Sequence, residues 1–164
     1  MAEIRIKKRR RLRNKEVRAL GSELSERMGV EIFPPETIVD IAQTSDFEVL
    51  FVDGQILAIV YEGQAFPTVR GLLRWGAEKY FVTVDMGAVP YVYNGADVMA
   101  PGIVEVDPGI HEGDLVWIRD ERNGQPLAIG KALLPAKSML DKKSGKAVAS
   151  IHHVGDKLWK IDEE

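Results

Sequence analysis

No cysteine occurs among the 164 residues, which excludes a disulfide framework, a thiolate zinc site, an iron–sulfur cluster and a cysteine nucleophile, and fits a reducing cytoplasm. Histidine is scarce. His152 and His153 are adjacent, so in a strand they face opposite sides, and His111 sits beside Glu112 in an expected turn; no metal-ligating spacing arises, and structural roles are expected for all three. No apolar run is long enough to cross a bilayer, and the basic N-terminus leads into charged sequence rather than the apolar stretch of a secretory signal. There is no internal repeat. Also missing are an activated nucleophile, a phosphate-binding loop and paired metal carboxylates, since Asp85, Asp97, Asp107 and Asp114 all fall in expected turns. The expectation is a soluble cytoplasmic protein with no catalytic residue, no metal site, no cofactor and no membrane partner.

What the chain does have is charge of one sign in one place. Arg5, Lys7, Lys8, Arg9, Arg10, Arg11 and Arg13 crowd into nine residues. Residues 1–18 hold nine Lys or Arg against Glu3 and Glu16, a net of +7, leaving −10 on the rest of a chain whose formal charge is −3. An arm opposed in sign to its own body points to a polyanionic partner, with nucleic acid first. Ile4 and Ile6 alternate with Arg5 and Lys7. Continued, that period of two places Arg5, Lys7, Arg9, Arg11 and Arg13 along one side of an extended segment, spaced by roughly 7 Å. Cationic side chains also protect edge strands from aggregation, but five on one face exceed that need.

From Asn14, an expected N-cap, the spacing turns helical through Val17, Leu20, Leu24 and Met28, and Gly29 ends the helix. Phe33-Pro34-Pro35 forms a connection ending at Pro35. Thr37 to Ala42, Phe47 to Val52 and Gln55 to Tyr61 read as strands of a small antiparallel sheet, with Asp53-Gly54 as a type I′ hairpin turn. Pro67 suits the first turn of a second helix, in which Val69, Leu72, Leu73 and Trp75 form a buried stripe, Arg70 and Arg74 share another face, and Gly76 is the stop. Beyond residues 76–79 the punctuation is that of a compact β-barrel. Phe81 to Val84 is a strand, and Val89 to Tyr93 a short helix between tight turns. Two hairpins are expected, Leu115–Arg122 with Gln125–Leu133 about Asn123-Gly124, and Val148–Val154 with Lys157–Ile161 about Gly155-Asp156.

Val84-Asp85-Met86-Gly87-Ala88, Asn94-Gly95-Ala96-Asp97-Val98-Met99-Ala100-Pro101-Gly102, Gly113-Asp114-Leu115-Val116 and Ala128-Ile129-Gly130 together resemble a PUA domain, the RNA-binding module named after pseudouridine synthases and archaeosine transglycosylases. Upstream, Phe66-Pro67-Thr68-Val69-Arg70, with Asp53-Gly54 before it and His152 and Leu158-Trp159 near the end, resembles the malignant T-cell-amplified sequence family and its archaeal relatives. The resemblance implies an α+β protein: an N-terminal α/β pre-PUA lobe with a small antiparallel sheet and the basic arm, residues 1–77, followed by a PUA β-pseudobarrel, residues 78–164. It further implies RNA lying along the short first helix of the PUA domain and the adjoining strand, which carries over to Gly87, Ala88, Tyr91, Asn94, Gly95, Asp97, Met99 and Gly102. Arg70, Arg74 and Lys131 would add charge to that groove. Pro90 falls where the short helix should start, so it must occupy the first turn or delay the helix. The expected function is RNA binding, to tRNA or small-subunit rRNA, in translation initiation, re-initiation or recycling, with a translation-factor protein as a possible second partner. Alternatives are a protein–protein adaptor of the translation machinery and an accessory subunit of an RNA-modification enzyme.

Overall fold

In the computed structural model, which describes residues 4–34 and 36–161, the basic segment is extended and forms β1 (Lys7–Arg11). The helix that follows, α1 (Asn14–Met28), starts one residue earlier than the sequence suggests, because Arg13 takes the cap position and Glu16 reaches back to accept its backbone N–H at 3.0 Å. Asn14 is therefore the first residue of the helix and not its cap. Its stop is as expected: Gly29 is left-handed, with φ of 76°, and donates to the Ser25 carbonyl at 2.9 Å. Val17, Leu24 and Met28 are buried, as their spacing requires. Pro35 lies outside the described residues.

Runs rich in apolar residues then build β2 (Val39–Gln43), β3 (Glu48–Val52) and β4 (Gln55–Tyr61), and Asp53 and Gly54 both take positive φ as the tight hairpin demands. A further strand, β5 (Gln64–Pro67), completes a five-stranded sheet in the order β1-β2-β3-β4-β5. Pro67 thus ends a strand instead of opening the next helix. Thr68 is the N-cap, its hydroxyl accepting from Gly71 N–H at 3.2 Å, and α2 (Val69–Trp75) begins after it. Leu73 departs from the expected buried stripe and is 47% exposed, since Val69 and Leu72 already fill the buried face of this short helix.

The second lobe is a curled six-stranded sheet in the order β7-β11-β10-β9-β6-β8. Its strands are β6 (Phe81–Val84), β7 (Val98–Met99), β8 (Ile103–Val106), β9 (Leu115–Asp120), β10 (Pro126–Ala132) and β11 (Lys146–His153), and only the β6 and β9 pairing is parallel. The β9–β10 hairpin forms, but its connection is longer than a two-residue turn: Asp120 accepts from the backbone of Asn123 and Gln125, and only Gly124 has positive φ. The last expected hairpin does not form. Lys157–Ile161 is a helix, α5, because the Asp156 carboxylate accepts from Trp159 N–H at 2.9 Å and so caps a helix. The lobe also holds the α-helices α3 (Val89–Tyr93), with Pro90 tolerated in its first turn, and α4 (Ala136–Asp141), and a 3-10 turn at Ala100–Gly102.

The lobes share apolar contacts. Leu115, Trp117, Ile129 and Leu158 of the second lobe belong to the same buried cluster as Leu24, Met28, Leu57 and Phe66 of the first. Polar links cross as well: the Gln64 side chain donates to the Gly113 carbonyl at 3.0 Å and accepts from Leu115 N–H at 3.3 Å. The second lobe also keeps its own core, around Val82, Val84, Ile118, Leu127 and Val148.

Candidate nucleic-acid interface

The turn from β6 into α3 is held by acids that satisfy its backbone. Asp85 Oδ1 accepts from Ala88 N–H at 2.9 Å, and Glu121 accepts from Met86 N–H at 2.8 Å, which fixes the turn leading into α3. Five residues cannot bury two faces. Val92 faces inward, while Tyr91 is 69% exposed. Beside it, Gly87, Ala88, Asp97, Met99 and Gly102 complete the wall of a mainly apolar hollow of about 290 Å³. Met99 is 47% exposed at its rim. An exposed aromatic ring and a thioether beside a hollow can take an unstacked base.

Of the sequence-derived residues, Gly87, Ala88, Tyr91, Asp97, Met99 and Gly102 thus come together around one hollow. Asp97 is committed inside the fold. Its backbone hydrogen bond from Ser150 at 2.9 Å, then Lys146 at 3.1 Å, hold its carboxyl below the usual aspartate value despite partial burial. Asn94 and Gly95 sit at the far end of α3. Gly95 has φ of 84° and lies against the His153 ring, where a Cβ would come within 3.0 Å of Nε2. Asn94 and Tyr93 line a second, larger cleft of about 770 Å³ with Ile4 of the arm, Phe47 and Lys157. The beginning of the arm and the end of α3 therefore adjoin across this cleft. Tyr93, 41% exposed, is not among the residues the sequence points to, although its position two residues after Tyr91 in the same helix is a signal for it.

The remaining cations are scattered. Arg70 lies 3.7 Å over the Trp159 ring and donates to the Trp159 carbonyl, so it joins the lobes instead of lining the groove. Arg74 donates to the Gln55 side chain at 3.1 Å. Lys131 pairs with Glu62 at 2.7 Å, another link between lobes, and this bond raises its pKa. The expected single row of five arm cations is broken. Lys8 takes φ of 55°, and the ladder pairs Lys7 with Gln43 and Arg10 with Ile41, three residues against two. This bulge moves Lys7 to the face of Arg10, away from Arg9 and Arg11. Arg13 leaves the strand to cap α1.

Two of the three histidines serve structure. His152 is buried and its Nδ1 lies 2.9 Å from Asp156, while His153 Nδ1 approaches the Val154 carbonyl at 2.8 Å. Among the described residues no group of three or more His, Asp or Glu has the arrangement of a metal site, and no helix is long and apolar enough to cross a membrane.

A curled sheet carrying a short aromatic helix beside an open hollow, preceded by a mixed lobe with a basic edge, has the architecture of a PUA module with an accessory domain. Family comparison agrees, matching a PUA domain over residues 80–154 and a domain of unknown function, DUF1947, over residues 8–75. An uncharacterised protein of Methanocaldococcus jannaschii is 41% identical over 157 residues, covering 94% of this chain and 96% of that protein. The malignant T-cell-amplified sequence 1 homolog of Drosophila melanogaster is 32% identical over 138 residues, 79% of this chain and 74% of that protein. Translation machinery-associated protein 20 of Saccharomyces cerevisiae is 27% identical over 141 residues, 82% of this chain and 78% of that protein. The crystal structure of a hypothetical protein from Pyrococcus horikoshii superposes with a TM-score of 0.82 at 38% identity, covering 94% of this chain and 99% of that one. A conserved PUA domain protein from Thermoplasma acidophilum gives 0.77 at 28% identity, with the same coverage. The chain belongs to this family of PUA-domain proteins with a pre-PUA region, the family of the malignant T-cell-amplified sequence and translation machinery-associated proteins.

Proposed function

We propose that this protein binds structured RNA, tRNA or small-subunit rRNA, in the cytoplasm, and acts non-catalytically in translation initiation, re-initiation or recycling. RNA binding and a role in translation are supported by the PUA match and by relatives named as translation machinery-associated proteins. The observation that carries the reading is the hollow at α3, where Tyr91 stands 69% exposed beside an apolar wall. We take the lobes as residues 1–77 and 78–164. The arm supplies long-range attraction, and the hollow receives a base from a loop or end, because duplex RNA hides its bases from side chains.

The experiment is equilibrium binding of labelled tRNA and small-subunit rRNA to the purified protein across a salt series. Affinity is expected to fall steeply between low and moderate ionic strength as phosphate contacts are screened. Tyr91→Ala is expected to weaken binding about tenfold without changing the salt slope, since it removes stacking and no charge. No association with either RNA in dilute buffer would end the proposal.

A further inference from the structure

Arg9 and Arg11 lie on one face of β1 and share a single acid. Each donates through Nε to a different oxygen of Asp40, at 2.9 Å from Arg9. Because Nε is the nitrogen used, the two terminal nitrogens of both guanidiniums make no hydrogen bond among the described residues. The neighbouring Arg10 does the opposite, spending both terminal nitrogens on Glu16 at 3.3 and 3.2 Å. Asp40 is sheltered, with its side chain 13% exposed, under guanidinium groups whose side chains are 47% and 63% exposed. Arg9 is fixed a second way, its guanidinium carbon lying 3.7 Å from the centroid of the Phe51 ring. Both arginines line a hollow of about 340 Å³ with Ile38, Asp40, Phe51 and Asp53, and Ile38 is half exposed at its edge.

We infer that Arg9 and Arg11 form a clamp for one phosphodiester of the bound RNA, with Asp40 as the positioning residue that turns their terminal nitrogens outward. The inference rests on the RNA-binding reading above and assigns this part of its surface. A guanidinium fork matches phosphate oxygens bidentately, and one already held in place loses less conformational freedom on binding. The hollow contains two cations and two acids, since Asp53 bounds it while its carboxylate accepts from Ile38 N–H at 3.4 Å. The clamp therefore contributes orientation. Attraction over distance comes from Lys7, Lys8 and Arg13, which have no ion pair among the described residues.

Asp40→Asn separates geometry from charge. It removes one negative charge from the surface, so Coulomb attraction alone predicts tighter binding, whereas loss of the positioning acid predicts affinity for tRNA lower by about fivefold. Arg9→Lys with Arg11→Lys keeps the charge and removes the forks; it should bind about tenfold more weakly with the salt slope unchanged. Thermal melts of each full-length variant check folding, and the double lysine variant decides the matter if Asp40→Asn melts early. Folded Asp40→Asn binding as tightly as the parent or tighter, or the lysine variant binding like the parent, overturns the clamp. Oligoglutamate displacing RNA as effectively per charge as free RNA does would assign the site to an acidic peptide and also overturn it. If the parent binds neither tRNA nor rRNA, the functional reading fails first. The clamp is then read alone, by NMR of the arginine side-chain nitrogens with inorganic phosphate: shifts confined to Arg9 and Arg11 keep it, and their absence removes it.

Discussion

Replacing Gly71 with alanine is expected to cost about 3 kcal/mol of stability, at the upper end of what forced overpacking produces, because α2 rests directly on the backbone of β4. A Cβ at this position would lie 2.0 Å from the Leu57 carbonyl oxygen and 3.1 Å from Pro67 Cβ. Neither neighbour can retreat easily. β4 is paired on both sides, and the same Leu57 oxygen accepts from Thr68 N–H at 3.0 Å. The Thr68 hydroxyl adds a bond to the Ile56 carbonyl at 3.2 Å, so the first turn of α2 is fastened to the strand at several points. Urea unfolding should show a lower midpoint with an unchanged slope. A loss below about 1 kcal/mol would mean that α2 can shift, and the close approach would not be a constraint.

A loss of similar size, about 3 kcal/mol at neutral pH, is expected for Asp156→Ala, which strands three donors at once, the buried His152 ring among them. Its carboxylate accepts from His152 Nδ1 and Trp159 N–H, each at 2.9 Å, and from His153 N–H at 3.0 Å. The buried Nε2 of His152 has no partner among the described residues, which fits a ring with its proton on Nδ1 and only an acceptor left unpaired. Burial pushes the Asp156 carboxyl up, but the His152 bond and the two amides outweigh it and hold the pKa below the ordinary value of 3.8. The sign follows from linkage. A carboxylate more acidic in the folded chain than in the unfolded one stabilises fully above the unfolded value, and that stability disappears as pH falls through the folded value. The gap between parent and Asp156→Ala in urea melts should accordingly be widest near neutrality and narrow below pH 3.8. A gap independent of pH would show that the charge of Asp156 does not matter.

How far the sequence could be read depended on whether the deciding interaction was local. Runs rich in β-branched and large apolar residues specified β2, β3 and β4, and Asp53-Gly54 specified the β3–β4 hairpin, because both turn residues need positive φ and only a few residue pairs adopt it cheaply. Gly29 and the short apolar run Val89–Tyr93 were equally legible. Gly155-Asp156 was ambiguous, since an aspartate after glycine suits a tight turn and a helix cap alike, and the choice was made by its carboxylate reaching Trp159 N–H. The bulge at Lys8 has no residue signature, because lysine has no preference for positive φ. The PUA resemblance points to Gly87, Ala88, Tyr91, Asp97, Met99 and Gly102, which line the hollow at α3 and lie within one short stretch of chain. Asp40 could not be foreseen. Its role arises from strand pairing that brings it to arginines 29 and 31 positions away.

Gln64 gives the molecule one further property. Its single amide group engages Arg27 at 3.1 Å, Gly113 and Leu115, tying α1 to the second lobe across β5. With the apolar seam beneath it, that tie sets the span between the basic edge and the aromatic helix during folding, before any encounter. On the proposed RNA-binding reading, the protein acts as a gauge of fixed jaw width, and it selects RNAs whose own bends bring a phosphate and an unpaired base to that separation.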